Sequence, residues 1–75
     1  MTKYKNLGGK SEVTHYKIDK DAVTVDFTSC GRYIYSNQSA GSANVKQMKE
    51  LAVAGKGLGT FIDKNVKHLY ARKIR

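Results

Sequence analysis

Gly31-Arg32-Tyr33-Ile34-Tyr35-Ser36 reads as a strand with Tyr33 and Tyr35 on one face and Arg32 and Ile34 on the other. What the tyrosine face covers decides the fold. Just upstream, Ala22-Val23-Thr24-Val25-Asp26-Phe27 alternates with period two, setting Val23, Val25 and Phe27 opposite Ala22, Thr24 and Asp26. Thr28-Ser29-Cys30-Gly31 joins the two as a tight turn, in which Gly31 takes a positive φ cheaply. Further back, Glu12–Ile18 is rich in β-branched and aromatic residues and runs into the polar turn Asp19-Lys20-Asp21. Three short strands joined by two short turns make an antiparallel meander.

After Ser36 the period changes. Asn37–Gly41 is a polar loop and Ser42 a helix N-cap. Val45, Met48, Leu51 and Ala52 then recur at helical spacing, with Lys46, Gln47, Lys49 and Glu50 turned outward. Gly55-Lys56-Gly57-Leu58-Gly59 stops this helix, and Thr60 caps a second one. Phe61, Ile62, Val66, Leu69 and Tyr70 form its apolar face over residues 60–70, opposite Lys64, Lys67, His68 and Arg72. The tail, residues 71–75, either continues this helix or ends extended. The fold class is α+β: a three-stranded antiparallel meander followed by two α-helices packed on one face. Residues 1–10 read as a flexible basic lead-in and 11–75 as a single domain.

Seventy-five residues suffice for one domain, and a chain this short buries only about 60% of its unfolded surface, so every large apolar side chain counts. With 40% hydrophobic and 27% charged residues it has the composition of a folded chain. The lone Cys30 excludes an internal disulfide and a thiolate metal pair, which fits a reducing, cytoplasmic setting. No apolar run approaches the roughly 20 residues of a membrane span, so no membrane partner is expected.

The net charge of +8 is lopsided. Residues 46–75 hold eight Lys or Arg against Glu50 and Asp63, a net of +6, so the field concentrates in the second half. A field of this kind attracts polyanions such as nucleic acid, an anionic membrane or an acidic protein face, and its plain alternative is a charge that serves solubility.

The order of these elements resembles the KTSC domain. The resemblance lies in the alternating "VTVDF" strand, a glycine turn, and Tyr33-x-Tyr35. After these come a helix, the "AGKGLG" break with Phe61, and the basic end "VKHLYARKI". It covers residues 11–74, with two departures: no proline follows the third strand, and "GKGLGT" is richer in glycine. That family occurs as small stand-alone bacterial or phage proteins and at the C-terminus of some lysyl-tRNA synthetases, and the latter setting implies RNA binding by analogy.

Tyr33 and Tyr35 have two readings, a base-stacking platform or core residues beneath the helices. The core reading is preferred, because Val23, Val25 and Phe27 already mark that side as the apolar one. The Gly-rich segment lacks the spacing and the preceding strand of a P-loop. A milder role remains for it, one phosphate held by backbone N–H groups beside Lys56, against that of a plain turn. His15, His68 and Cys30 share no metal-ligand spacing, and no carboxylate pair suggests acid–base work, so neither catalytic nor metal residues nor a cofactor are expected.

The sequence therefore predicts a monomeric, non-enzymatic binding module for nucleic acid, RNA before DNA. Lys56, Lys64, Lys67, Arg72 and Lys73 would hold phosphates, while Tyr70 or Tyr35 stacks if exposed. About five phosphate contacts would give a log–log salt slope of roughly −3.5 on single strands. The alternative is a protein-interaction module, of phage type, that docks an acidic surface of a host protein and regulates it.

Overall fold

Val23 and Val25 are wholly buried, and the strand carrying them lies at the centre of the sheet. The computed structural model describes residues 2–7, 12–28 and 31–74. Its antiparallel sheet has five strands, β1 (Thr2–Lys3), β2 (Val13–Ile18), β3 (Ala22–Phe27), β4 (Gly31–Ser36) and β5 (Arg72–Ile74), ordered in space as in the chain. The expected meander is its middle, and the architecture is α+β. Two strands were not foreseen. Thr2 and Lys3 pair with Tyr16 and His15, while Arg72, Lys73 and Ile74 pair with Ile34, Tyr33 and Arg32. Each occupies an edge of the meander whose backbone groups would otherwise lack a partner.

Register sets the faces. Val25 lies opposite both Tyr16 and Tyr33, and Val23 opposite Ile18 and Tyr35, so these residues share one side. Between Val13 and His15 the β2–β3 register slips, and Thr14 Oγ1 donates to the Asp26 carbonyl at 3.3 Å. Gly31 has φ +89°, as its turn position requires. Ser29 and Cys30, expected in that turn, lie outside the described residues, as do Gly8–Lys10 and Arg75.

The loop expected at Asn37–Gly41 is instead a short helix, α1 (Asn37–Ala40). Ser36 caps it: its hydroxyl accepts from Ser39 N–H at 3.1 Å while Ser39 Oγ accepts from Ser36 N–H at 3.0 Å. Helix α2 (Ser42–Ala54) follows, so Ser42 is its first residue and Gly41 its cap. It buries Val45, Met48 and Ala52, then stops at Gly55 (φ +83°), whose N–H returns to the Leu51 carbonyl.

The second long helix is also corrected. Helix α3 (Leu58–Phe61) starts after Gly57, so Thr60 lies inside it, and a wide π-type turn over Ile62–Val66 follows. Leu58, Ile62 and Val66, four apart, are all buried. Past Val66 the helical spacing would continue through Leu69 and Tyr70, but Leu69 stays 42% exposed and the backbone runs to the sheet: Ala71 N–H donates to the Ile34 carbonyl at 2.7 Å. The tail is thus extended.

Val13, Val23, Val25 and Tyr35 of the sheet meet Val45, Met48, Ala52, Leu58, Ile62 and Val66 in one core. Burying a side chain the size of Met48 or Leu58 contributes about 1.5–3 kcal/mol. Tyr4 joins them at 2% exposure. Its N–H donates to the Thr14 carbonyl at 2.8 Å, and Leu7 N–H reaches the Gly55 carbonyl at 2.7 Å. Residues 2–7 are therefore built into the domain, not a loose lead-in. Among the described residues no helix is long and apolar enough to cross a membrane.

Candidate nucleic-acid interface

Four aromatic rings gather on the helix-covered side of β3 and β4. Tyr33 is their hub: Phe27 meets it edge-on at 5.5 Å, Tyr70 edge-on at 4.8 Å, and Tyr35 lies nearly parallel at 6.3 Å. Lys73 is directly across the ladder from Tyr33, and its Nζ stands 5.3 Å from the ring centroid. Tyr33 is half-buried, whereas Tyr35 is 1% exposed. Tyr35 therefore belongs to the core and offers no face for stacking.

Beside this cluster opens a cleft of about 540 Å³. Phe27, Tyr33 and Tyr35 form its sheet wall. Lys56, Gly57, Gly59 and Thr60 also line it, with Ile62 and Asp63 of the wide turn and Lys67 just beyond that turn. Tyr4, Asn6 and Glu12 complete the lining.

Of the residues singled out from the sequence, Lys56 and Lys67 stand at this cleft, both exposed, and Lys73 stands over its central ring. Lys67 Nζ is 3.7 Å from Asp63 Oδ1, a solvent-exposed pair one helical turn apart. Lys64 is exposed on the same turn, and Tyr70 is half-buried against Tyr33. Arg72 is elsewhere. It lies opposite Ile34 in the row Lys17–Thr24–Ile34–Arg72, on the face of the sheet turned away from the helices. The single stripe of Lys64, Lys67, His68 and Arg72 is thereby divided, because strand alternation sends Arg72 and Lys73 to opposite faces.

The phosphate role for the glycine segment also loses a donor. Leu58 N–H donates to Tyr4 Oη at 3.3 Å, and Phe61 N–H returns to the Gly57 carbonyl. Sequence reasoning missed Tyr4, Asn6 and Glu12 as cleft residues. Their signal was weak, since they come from the lead-in and from the first residue before β2. Lys49, on the outward side of α2, donates from Nζ to the Lys20 carbonyl at 2.8 Å.

On the open face, Arg32 forks onto Asp26, Nε to Oδ1 at 2.8 Å and a terminal nitrogen to Oδ2 at 3.3 Å. This hydrogen bonding holds the Asp26 carboxyl below the usual carboxylate range; partial burial opposes the shift, and the charges of Arg32 and His15 add to it. Among the described residues no three of His, Cys, Asp and Glu come together as a metal site would require.

No protein-family model matches the chain, and no curated protein or solved structure matches it either.

Proposed function

We propose that this chain is a small non-enzymatic module that binds single-stranded nucleic acid, RNA before DNA, in the Tyr33 cleft. One observation carries the reading: the half-buried Tyr33 lines a cleft of about 540 Å³ whose lining also holds Lys56 and Lys67. Unpaired bases stack on aromatic rings, and flanking phosphates seek cations. The volume lies within the range of sites that enclose a small ligand, about 300–1,000 Å³, so it suits one base and its sugar. Lys73 over Tyr33 adds positive potential at the same ring. The resemblance to the KTSC domain, with its place on a tRNA-handling enzyme, favours RNA.

The test is fluorescence anisotropy of a labelled mixed-sequence RNA strand at low and near-physiological salt, with wild type and a Lys56→Glu/Lys67→Glu variant. Wild-type binding that weakens with salt and is lost in the variant supports the reading. Equal binding by both proteins overturns it.

A second reading, docking on a protein surface, is favoured by a different feature. Ile18 and Val53, 40% and 58% exposed, share a shallow depression with Lys49 and Glu50. A partner captured by wild type and lost on Val53→Asp, together with no RNA binding at any salt, supports it.

A further inference from the structure

A carboxylate is a poor companion for phosphate, yet two of the six in this chain stand in the cleft, Glu12 and Asp63. Asp63 is matched by Lys67 at 3.7 Å. Among the described residues Glu12 has no ion-pair partner. Its backbone is fixed, for Thr28 N–H donates to its carbonyl at 2.9 Å and the next residue, Val13, is 2% exposed and paired with Phe27. The Phe27 ring in turn stands perpendicular to that of Tyr33 at 5.5 Å. An acceptor-only group, exposed and without an ion-pair partner, therefore lines the cleft on a backbone tied to Thr28, the residue after Phe27.

Resting on the reading that the cleft takes an unpaired base, we infer that Glu12 makes that base a guanine. In a single strand the Watson–Crick edge is free. Guanine presents two neighbouring donors on that edge, N1–H and the N2 amine, which a carboxylate accepts as a fork. Adenine, cytosine and uracil each present one donor there, beside acceptors that a carboxylate repels. Lys56, which lines the same cleft, supplies a cation for the O6 and N7 acceptors of that base. Tyr33 contributes stacking without choosing among bases, and Glu12 contributes the choice.

The experiment compares labelled oligouridine strands carrying one central guanosine, inosine or adenosine, by anisotropy at fixed low salt, with wild type and Glu12→Gln. Inosine lacks only the N2 amine. Guanosine is expected to bind about tenfold more tightly than inosine or adenosine, within the range of a bidentate base contact. Glu12→Gln, whose amide replaces one acceptor by a donor, should bring the three together. Equal wild-type affinity for the three strands, with binding still sensitive to salt, overturns the guanine assignment and leaves the cleft as a base-indifferent site. Absence of binding to every strand overturns both. Glu12 is exposed, so a thermal melt unchanged from wild type separates a lost contact from a damaged fold.

Discussion

The hydroxyl of Tyr4 accepts a hydrogen bond from the backbone N–H of Leu58 at 3.3 Å, joining positions 54 apart in the chain. As the first residue of α3, Leu58 has no acceptor for that N–H within its own helix, and the group is buried. Tyr4→Phe keeps the ring and removes the acceptor, so it should cost about 1 kcal/mol. Tyr4→Ala also empties a core site and should cost about 3–5 kcal/mol. Urea midpoints measure both. A Phe variant as stable as wild type would show that the bond contributes nothing.

Gly55 and Gly57 both have positive φ, +83° and +82°, but their surroundings differ. A Cβ on Gly55 would come 2.7 Å from Lys5 Cβ, whereas one on Gly57 would meet nothing closer than Leu51 Cδ2 at 3.5 Å. Gly57→Ala should therefore show only the left-handed backbone penalty, about 1–2 kcal/mol. Gly55→Ala adds displacement of the Lys5 segment and should melt lower. Equal melting temperatures would mean that this segment yields freely.

How far these features could be read from the sequence depends on how much apolar pattern each segment carries. Strands β2 to β4 were legible because Val23, Val25 and Phe27 alternate against tyrosines on the neighbouring strands. Thr2–Lys3 and Arg72–Ile74 were not, being too short and too charged to alternate visibly; they are strands because the edges of β2 and β4 need partners. Leu69 and Tyr70 continue the helical spacing of Leu58, Ile62 and Val66, and this drew the predicted helix past its end. Tyr70 serves a different contact, the edge of Tyr33, and Leu69 stays 42% exposed. The cleft combines residues from positions 4 to 67, and no local pattern announces such a meeting. Its lysines were legible as charge, not as place.

Salt dependence separates the cleft from the divided stripe. Lys56→Gln and Lys67→Gln should each reduce the log–log salt slope of RNA binding by about 0.7, one phosphate contact apiece. Arg72→Gln, on the opposite face, should leave the slope unchanged. A drop for Arg72 as large as for Lys56 would place the nucleic acid on the open sheet.

Asp26 supplies a pH dependence whose sign is fixed. Its carboxyl is held below the ordinary aspartate value of about 4, so the folded chain prefers the charged form more than the unfolded chain does. The resulting stability is present above that ordinary value and is lost as pH falls through the lower, folded one. In Asp26→Asn this part of the acid loss should vanish, and urea midpoints of variant and wild type should converge toward pH 3. Parallel curves for the two proteins from pH 7 to pH 3 would show that the Arg32 fork contributes nothing to stability.

Sheet order that follows chain order has a consequence for self-association. The two rims of the sheet are its first and last strands, Thr2–Lys3 and Arg72–Ile74, and both bear cations that keep a second sheet from adding. Peeling back the C-terminal rim bares β4, where Tyr33, Ile34 and Tyr35 form a compact, β-prone run. Aggregation should then begin with a frayed rim and not with a breached core. A C-terminal fusion that tugs on Arg72–Ile74 would foster clumping, even while helices and central strands stay intact.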